Sequence, residues 1–387
     1  MANKLNMLRN VTMLMAIGFI VLGTGLQNNA KAQLGDVGQI LSSSQEDANT
    51  IVKSYLRPFA SGFGGGLNNG WTNTARTHGV LGFDLTVGAS MAIVPSGDRS
   101  FNVNELGLQQ LELESGSAKT PSISGKDNTN TTLAAYSEFE NPQTGNTREE
   151  KLFEIPMPPG SGFEYVPAPT IKGAVGLPMN SEVMFRYMPT YNIPRTGGKI
   201  DLFGIGAKHQ ISQYLPGSKL LPVDISIMGG YTKLNLSKGF NVTPEDIITQ
   251  PNDTRNPYAN QPETWDGQKL DMTTTAYTVN ALVGYTIPII KVVSAYAGVG
   301  YEASTMEVSS PGNYPTVEPN PDYDPVAQNE KFVVGQVTEP IDISMDGKNS
   351  FRGIVGAQVK VAVIALSASY TISEYPSANV GIGISFR

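Results

Sequence analysis

The sequence predicts an all-β fold: a transmembrane antiparallel up-and-down β-barrel of 12–14 strands with a short N-terminal helical plug or leader. Three observations carry this. Residues 81–93 alternate with only Ala92 breaking the rule, stripes of the same period recur down the chain, and the connectors between stripes alternate between short and long. In the first stripe Leu81, Phe83, Leu85, Val87, Ala89, Met91 and Ile93 are apolar, while Gly82, Asp84, Thr86, Gly88 and Ser90 are small or polar. Alternate side chains of a strand face opposite ways, so the segment carries one oily face and one small polar face. A strand of about thirteen residues rises roughly 43 Å, or roughly 33 Å in height at a tilt of about 40°. That is enough to cross an outer-membrane apolar band of about 25 Å.

The N-terminus reads as a secretory signal peptide over residues 1–32. Lys4 and Arg9 form a basic start, Met13–Leu26 is apolar, and Ala30-Lys31-Ala32 has the small-x-small form of a cleavage site. The apolar stretch is short for a membrane anchor, and its flanks suit cleavage. The chain has no Cys, so neither a lipidated Cys nor a disulfide is available. Export without disulfides places the expected home in a Gram-negative outer membrane.

Residues 33–77 form the expected leader. Glu46–Arg57 suit a short amphipathic helix with Ile51, Val52, Tyr55 and Leu56 on one side, limited by Pro58. Gly62, Gly64, Gly65, Gly66 and Gly70 then suggest a flexible stretch ending at Trp71. Such a leader can plug a lumen, sit at the periplasmic mouth, or serve as a linker.

The barrel is expected over residues 78–387. Beyond the first stripe, alternating runs fall near residues 171–177, 182–187, 203–208, 223–232, 277–285, 293–302, 351–363, 366–372 and 380–386. Those make ten strands. Residues 95–167 hold short alternating pieces at Leu106–Leu113, Thr132–Phe139 and Lys151–Ile155, and two or four more strands are expected there. Connectors near 177–180, 214–222, 287–290 and 364 are short; those at 237–268 and 307–349 are long and polar. Short turns belong in the periplasm and long loops outside. Tyr187, Tyr231, Tyr285, Tyr301 and Tyr370 lie toward stripe ends, as an aromatic girdle requires.

Composition excludes several classes. Lys plus Arg number 27 against 34 Asp plus Glu, a net charge of −7 without a basic cluster, which argues against a nucleic-acid partner. Mean hydropathy is slightly negative. Past the signal segment there is no apolar run long enough for a spanning helix.

The signal segment, the stripes and the terminal run Val380–Phe386 resemble an outer-membrane barrel. The resemblance implies that the last strand is read by the barrel-assembly machinery, although Arg387 follows the aromatic residue here. The Gly-rich leader through Trp71 and the segment Pro167–Pro189 resemble an uncharacterised Bacteroidetes-type outer-membrane β-barrel family. That family is distantly similar to long-chain fatty acid transporter (FadL-type) barrels, which implies 14 strands and an N-terminal plug. No ligand residue carries over.

Chemistry has little to stand on. The two His residues are His78, in a turn before the first strand, and His209, on the lipid-facing phase near a strand end. An outer-membrane lipid enzyme that used His209 with a nearby Ser is the weakest alternative; an enzyme is not expected, nor is a cofactor. Gly62–Gly66 lacks the Lys-Ser/Thr of a phosphate loop. Asp322–Asp324 and Asp342–Asn349 lack the oxygen spacing of a calcium loop, and no metal site is expected. The informative charges fall on the lumen phase: Asp84, Lys172, Arg186, Lys208, Asp224, Glu302, Arg352 and Lys360. Arg or Lys facing lipid costs roughly 2–4 kcal/mol at midplane, so these groups are expected inside. Being mixed in sign, they argue against strong ion selectivity; they can line a path or build a sealing network. The expected function is passive passage of small molecules, hydrophobic ligands included, through a barrel embedded in outer-membrane lipid. The alternative is a structural or scaffold barrel in an envelope complex.

Overall fold

The computed structural model describes residues 45–140, 147–194, 197–215, 223–239, 241–248, 250–287, 292–323 and 329–386. The expected signal segment and cleavage site, and leader residues 33–44, lie outside the described residues.

Ten strands close into one antiparallel barrel. They are β1 (Phe83–Ile93), β2 (Tyr165–Leu177), β3 (Ser181–Asn192), β4 (Gly198–Gln210), β5 (Val223–Gly239), β6 (Lys269–Thr286), β7 (Val293–Ser309), β8 (Ser350–Val361), β9 (Ile364–Ile372) and β10 (Ser377–Phe386). Each pairs with the next, and β1 closes on β10 with Phe83 opposite Phe386 and Ala92 opposite Ser377. Closure leaves no barrel strand with a bare edge. The ten runs with clean period-two alternation are the ten barrel strands. The two or four further strands expected from residues 95–167, and the 14 implied by the FadL-type resemblance, do not join them. That region instead folds into a ribbon of Ser100–Asn102 with Lys119–Pro121, and a sheet of Leu111–Ser115, Thr132–Glu140 and Thr147–Pro156. Its alternation is too brief to line both a lumen and an apolar exterior.

The long connectors 94–164, 240–268 and 310–349 leave from one end of the barrel, and the links 178–180 and 362–363, with Ile211–Tyr214 after β4, lie at the other. The long connectors build a head. In it Asn313–Pro319, Phe332–Thr338 and Thr254–Arg255 pair in a second small sheet, and Asp342–Asp346 extends the wall at β7.

On the tall side of the barrel the phase stays constant while its chemistry inverts. Along β5, Ile225, Ile227 and Tyr231 face out, followed on the same face by Lys233, Asn235 and Ser237; inward-facing Ser226 and Thr232 give way to fully buried Leu234. Strand β6 runs the opposite way, so outward Asp271, Thr273 and Thr275 precede Tyr277, Val279 and Val283. Along β7, outward Val299 and Tyr301 are followed by Thr305 and Glu307, with Met306 and Val308 buried inside. The stretch toward the short turns is therefore oily outside and polar inside. The stretch toward the head is polar outside and oily inside, as in a soluble sheet. Tyr231, Tyr277 and Tyr301 mark the change; Tyr231 packs on Tyr277 at 5.1 Å and Tyr301 on Phe351 at 5.6 Å. At the other end Phe83 stacks on Phe386 at 5.9 Å.

Helix α1 (Gln45–Asn68) lies inside the barrel. It extends past both expected limits, because Pro58 sits within it and Gly62–Gly66 form its last turns. Interior glycine costs about 1 kcal/mol against alanine in a free helix, which makes the stretch look flexible on propensity alone. Packing overrides that preference. A Cβ on Gly62 would lie 2.5 Å from Val166 Cγ2, and one on Gly66 2.7 Å from Ala168 Cβ, so only glycine lets this face of the helix touch β2. The apolar face Ile51, Val52, Tyr55 and Leu56 packs into the oily head-side interior with Leu234, Met306 and Ile343.

Candidate functional site: the filled lumen

The leader descends the barrel in one direction. At the head, both Asp47 carboxylate oxygens accept backbone N–H bonds from Gln109, Gln110 and Leu111 at 2.7–3.0 Å. The Tyr55 hydroxyl donates to Pro159 O at 2.9 Å. Midway, Asn68 donates to Ala303 O, and Asn69 donates to the Ser90 and Ser377 hydroxyls while accepting from Arg352 and Thr371. Lower, Asn73 donates to Asp84 and Thr86 at 3.2 and 3.0 Å. At the short-turn mouth, His78 meets Glu182 at 2.6 Å and Ser385 at 3.3 Å. The chain then turns through Gly82 into β1. The Gln45 end thus lies at the long-loop end of the barrel.

All eight charges of the lumen phase face inward. Lys172 Nζ lies 3.4 Å from Asp84 and also donates to Trp71 O. Lys208 lies 3.1 Å from Glu182 and donates to Thr74 O. Arg352 bonds Glu302 at 2.9 Å. Asp224 accepts from Gln210, and Lys360 donates to Ser385. Arg186 has no salt-bridge carboxylate among the described residues. Its guanidinium donates to Leu67 O at 2.6 Å, to Asn69 O and to Thr232, while Arg352 donates to Asn68 O at 3.1 Å. The last carbonyls of a helix lack intrahelical donors and carry the negative end of its dipole. Two arginine forks fill that need, and the carbonyl cluster stands in for the carboxylate that Arg186 lacks.

Trp71 follows directly. The Arg186 guanidinium lies 3.9 Å from its ring centroid, a cation–π contact in a dry setting. The other side of the ring lies on bare backbone. A Cβ on Gly230 would come 2.6 Å from Trp71 Cε2, and one on Gly206 2.9 Å from Cζ3. The ring therefore sits in a slot that three glycines, Gly204 included, leave open on β4 and β5.

Sequence reading missed Glu182, His78, Trp71, Asn69 and Asn73. Glu182 also sits on the inward phase of its strand and was legible on that ground. His78, expected in a turn before the first strand, closes the lower mouth. His209 does face outward, with Nδ1 2.8 Å from Ser181 Oγ on the neighbouring strand and Nε2 3.1 Å from the Tyr214 hydroxyl. Among the described residues no carboxylate bonds the ring, whereas a hydrolytic triad orients its His with one. Among the described residues no group of three or more His, Cys, Asp or Glu is placed to hold a metal. Asp342–Asp346, considered as a calcium loop, is a strand.

A sequence profile described as "Family of unknown function (DUF6588)" matches residues 8–386, and the chain belongs to that family. Comparison with curated protein sequences gives no match. Among solved structures, the chain is similar to Ail, the attachment invasion locus protein of Yersinia pestis (9% identity, 79% of this chain and 97% of that one, TM-score 0.25). It is similar to the translocator domain of autotransporter NalP from Neisseria meningitidis (8%, 80% and 90%, TM-score 0.25). It is also similar to the outer membrane protease OmpT from Escherichia coli (9%, 79% and 97%, TM-score 0.27). At these scores no residue role transfers.

Proposed function

We propose that this member of the DUF6588 family spans a Gram-negative outer membrane as a sealed barrel, and that it serves as an anchor for its loop head rather than as an open pore. One observation carries the reading: residues 47–78 run from head to short turns, bonded to the head connector above and to the lumen wall below. The apolar belt supports the membrane setting. Its span Phe83–Ile93 rises roughly 36 Å, or roughly 28 Å at a tilt of about 40°, enough for an outer-membrane apolar band of about 25 Å. Export by the N-terminal signal segment, and recognition of β10 by the barrel-assembly machinery, belong to the same proposal.

Planar-bilayer conductance tests it. The purified protein, shown folded by its heat-modifiable gel shift, is expected to be electrically silent. A variant lacking residues 45–77, folded by the same criterion, is expected to conduct. Steady conductance of the full chain overturns the sealed reading.

A second reading, gated passage of small hydrophobic molecules, has one observation in its favour: the wall pairs completely without the leader, so leader displacement leaves an intact barrel. Ligand uptake by proteoliposomes of the full chain decides for it. We assign Ser181 and His209 to interfacial packing; lipid hydrolysis that is lost in His209→Ala overturns that assignment.

A further inference from the structure

We propose that the barrel is threaded by its own N-terminal arm, the leader described from Gln45 onward: Gln45 is held on the head side of the membrane, opposite to the side on which β1 begins and β10 ends. The proposal rests on the membrane-spanning reading above.

The polarity of the leader carries it. Its partners change in strict order along the sequence. Asp47 and Tyr55 bond the long connector 94–164, Gly62 and Gly66 lie against Val166 and Ala168, Lys172 reaches Trp71 O, and His78 reaches Ser385 beside the C-terminus. Residues 165–177 of β2 run from head to short turns, and the leader runs beside them in the same sense. Gln45 and Glu46 are exposed at the head, whereas Asp47 and Ala48 are buried.

The arm is also fixed. Arg186 and Arg352 hold three successive carbonyls, those of Leu67, Asn68 and Asn69. Trp71, below them, fills a slot that the helix above cannot enter. Tension on the arm from the head side is therefore resisted by the Trp71 ring lodged among Gly204, Gly206 and Gly230. A segment attached before Gln45 would be displayed beside the loop head on a strap that needs no disulfide or lipid.

The chain has no Cys, which makes single-cysteine labelling clean. Three exposed positions are chosen: Glu46→Cys on the arm, Asp127→Cys in the long connector and Asn180→Cys in a short turn. Intact cells carrying each variant are treated with a membrane-impermeant polyethylene-glycol maleimide, then again after the outer membrane is opened. The expected result is that Glu46→Cys and Asp127→Cys label together and Asn180→Cys labels in the opposite condition. Labelling of Glu46→Cys together with Asn180→Cys, apart from Asp127→Cys, overturns the threading and leaves the membrane-spanning barrel standing. Labelling of Asp127→Cys and Asn180→Cys in the same condition overturns the spanning reading itself. A protease site inserted between residues 44 and 45, with the full chain otherwise unchanged, gives a second measurement. Cleavage by protease added to intact cells in which Asp127→Cys labels is expected, and resistance that ends only when the membrane is opened counts against threading.

Discussion

Removing the Arg186 guanidinium tests the lumen lock most directly. In Arg186→Met the side-chain stem and much of its volume remain, but the carbonyls of Leu67 and Asn69 lose their donors and Trp71 loses its cation. Each carbonyl left dry and unpaired costs about 1–3 kcal/mol. A desolvated cation–π contact contributes about 2 kcal/mol. Against this stands the desolvation of a buried guanidinium, which the substitution relieves. The balance is a loss of about 3 kcal/mol, a large share of the roughly 5–15 kcal/mol that keeps a typical domain folded. The two Trp residues make the assay specific, since Trp71 is buried in the lumen and Trp265 in the head. In a Trp265→Phe background, Trp71 fluorescence reports the leader alone. Arg186→Met is expected to lower the urea midpoint of the Trp71 transition below that of the heat-modifiable gel shift, so that the leader loosens before the wall opens. If the Trp71 midpoint is unchanged, the forks do not hold the helix end and the reasoning fails.

Other expectations follow from the same geometry. Gly230→Ala places a methyl 2.6 Å from the Trp71 ring, and overpacking of about 1–3 kcal/mol should appear as a lowered Trp71 midpoint. Lys172→Met leaves Asp84 buried and uncompensated, a cost of about 3–5 kcal/mol, whereas the double variant Asp84→Asn/Lys172→Met should regain most of it; a double-mutant cycle in urea measures the coupling. Val299→Lys, at an outward site 69% exposed within the apolar belt, should cost roughly 2–4 kcal/mol in bilayers, while Lys233→Leu above the tyrosines should leave folding in bilayers nearly unchanged. The Tyr375 phenol lies in the head-side turn after β9, where burial and the Asp98 carboxylate at 2.7 Å hold its pKa well above the usual tyrosine value. Its stabilising effect is full below the ordinary tyrosine pKa of about 10 and fades in stronger alkali. Tyr375→Phe should flatten that alkaline loss, read as protection of the 94–164 connector from proteolysis.

The barrel strands were legible because their physics is local. A wall one residue thick between lipid and lumen imposes period two on the chain itself, and all ten runs with clean alternation are the ten strands. The short pieces in 95–167 misled because a small surface sheet shares the same period. The head-side inversion on β5–β7 was readable too, since Lys233 and Leu234 trade places in a phase that does not shift. The leader was misread because propensity judges glycine and proline in water, whereas Gly62 and Gly66 answer to a wall more than a hundred residues away. Lumen charges followed from phase alone. Their partners did not, because the pairing of Arg186 with the end of α1, or of His78 with Glu182, depends on which way the leader enters and how far down it reaches.

The threaded leader also fixes an order of assembly. Phe83 meets Phe386 at the seam between β1 and β10, so the ring closes only when the last ten-residue strand has been made and paired. Several leader contacts wait for that end of the chain: Asn69 with Thr371 and Ser377, and His78 with Ser385. A ring that shut first would have to draw a 24-residue helix through a lumen already lined with its partners. The leader must therefore lie in the cleft of a half-curled sheet before the seam zips. Contacts this remote in sequence make for slow folding, and until closure the apolar face of the helix and the oily head-side inner wall shield each other. In that interval the leader acts as a mandrel, and the wall is wound around it.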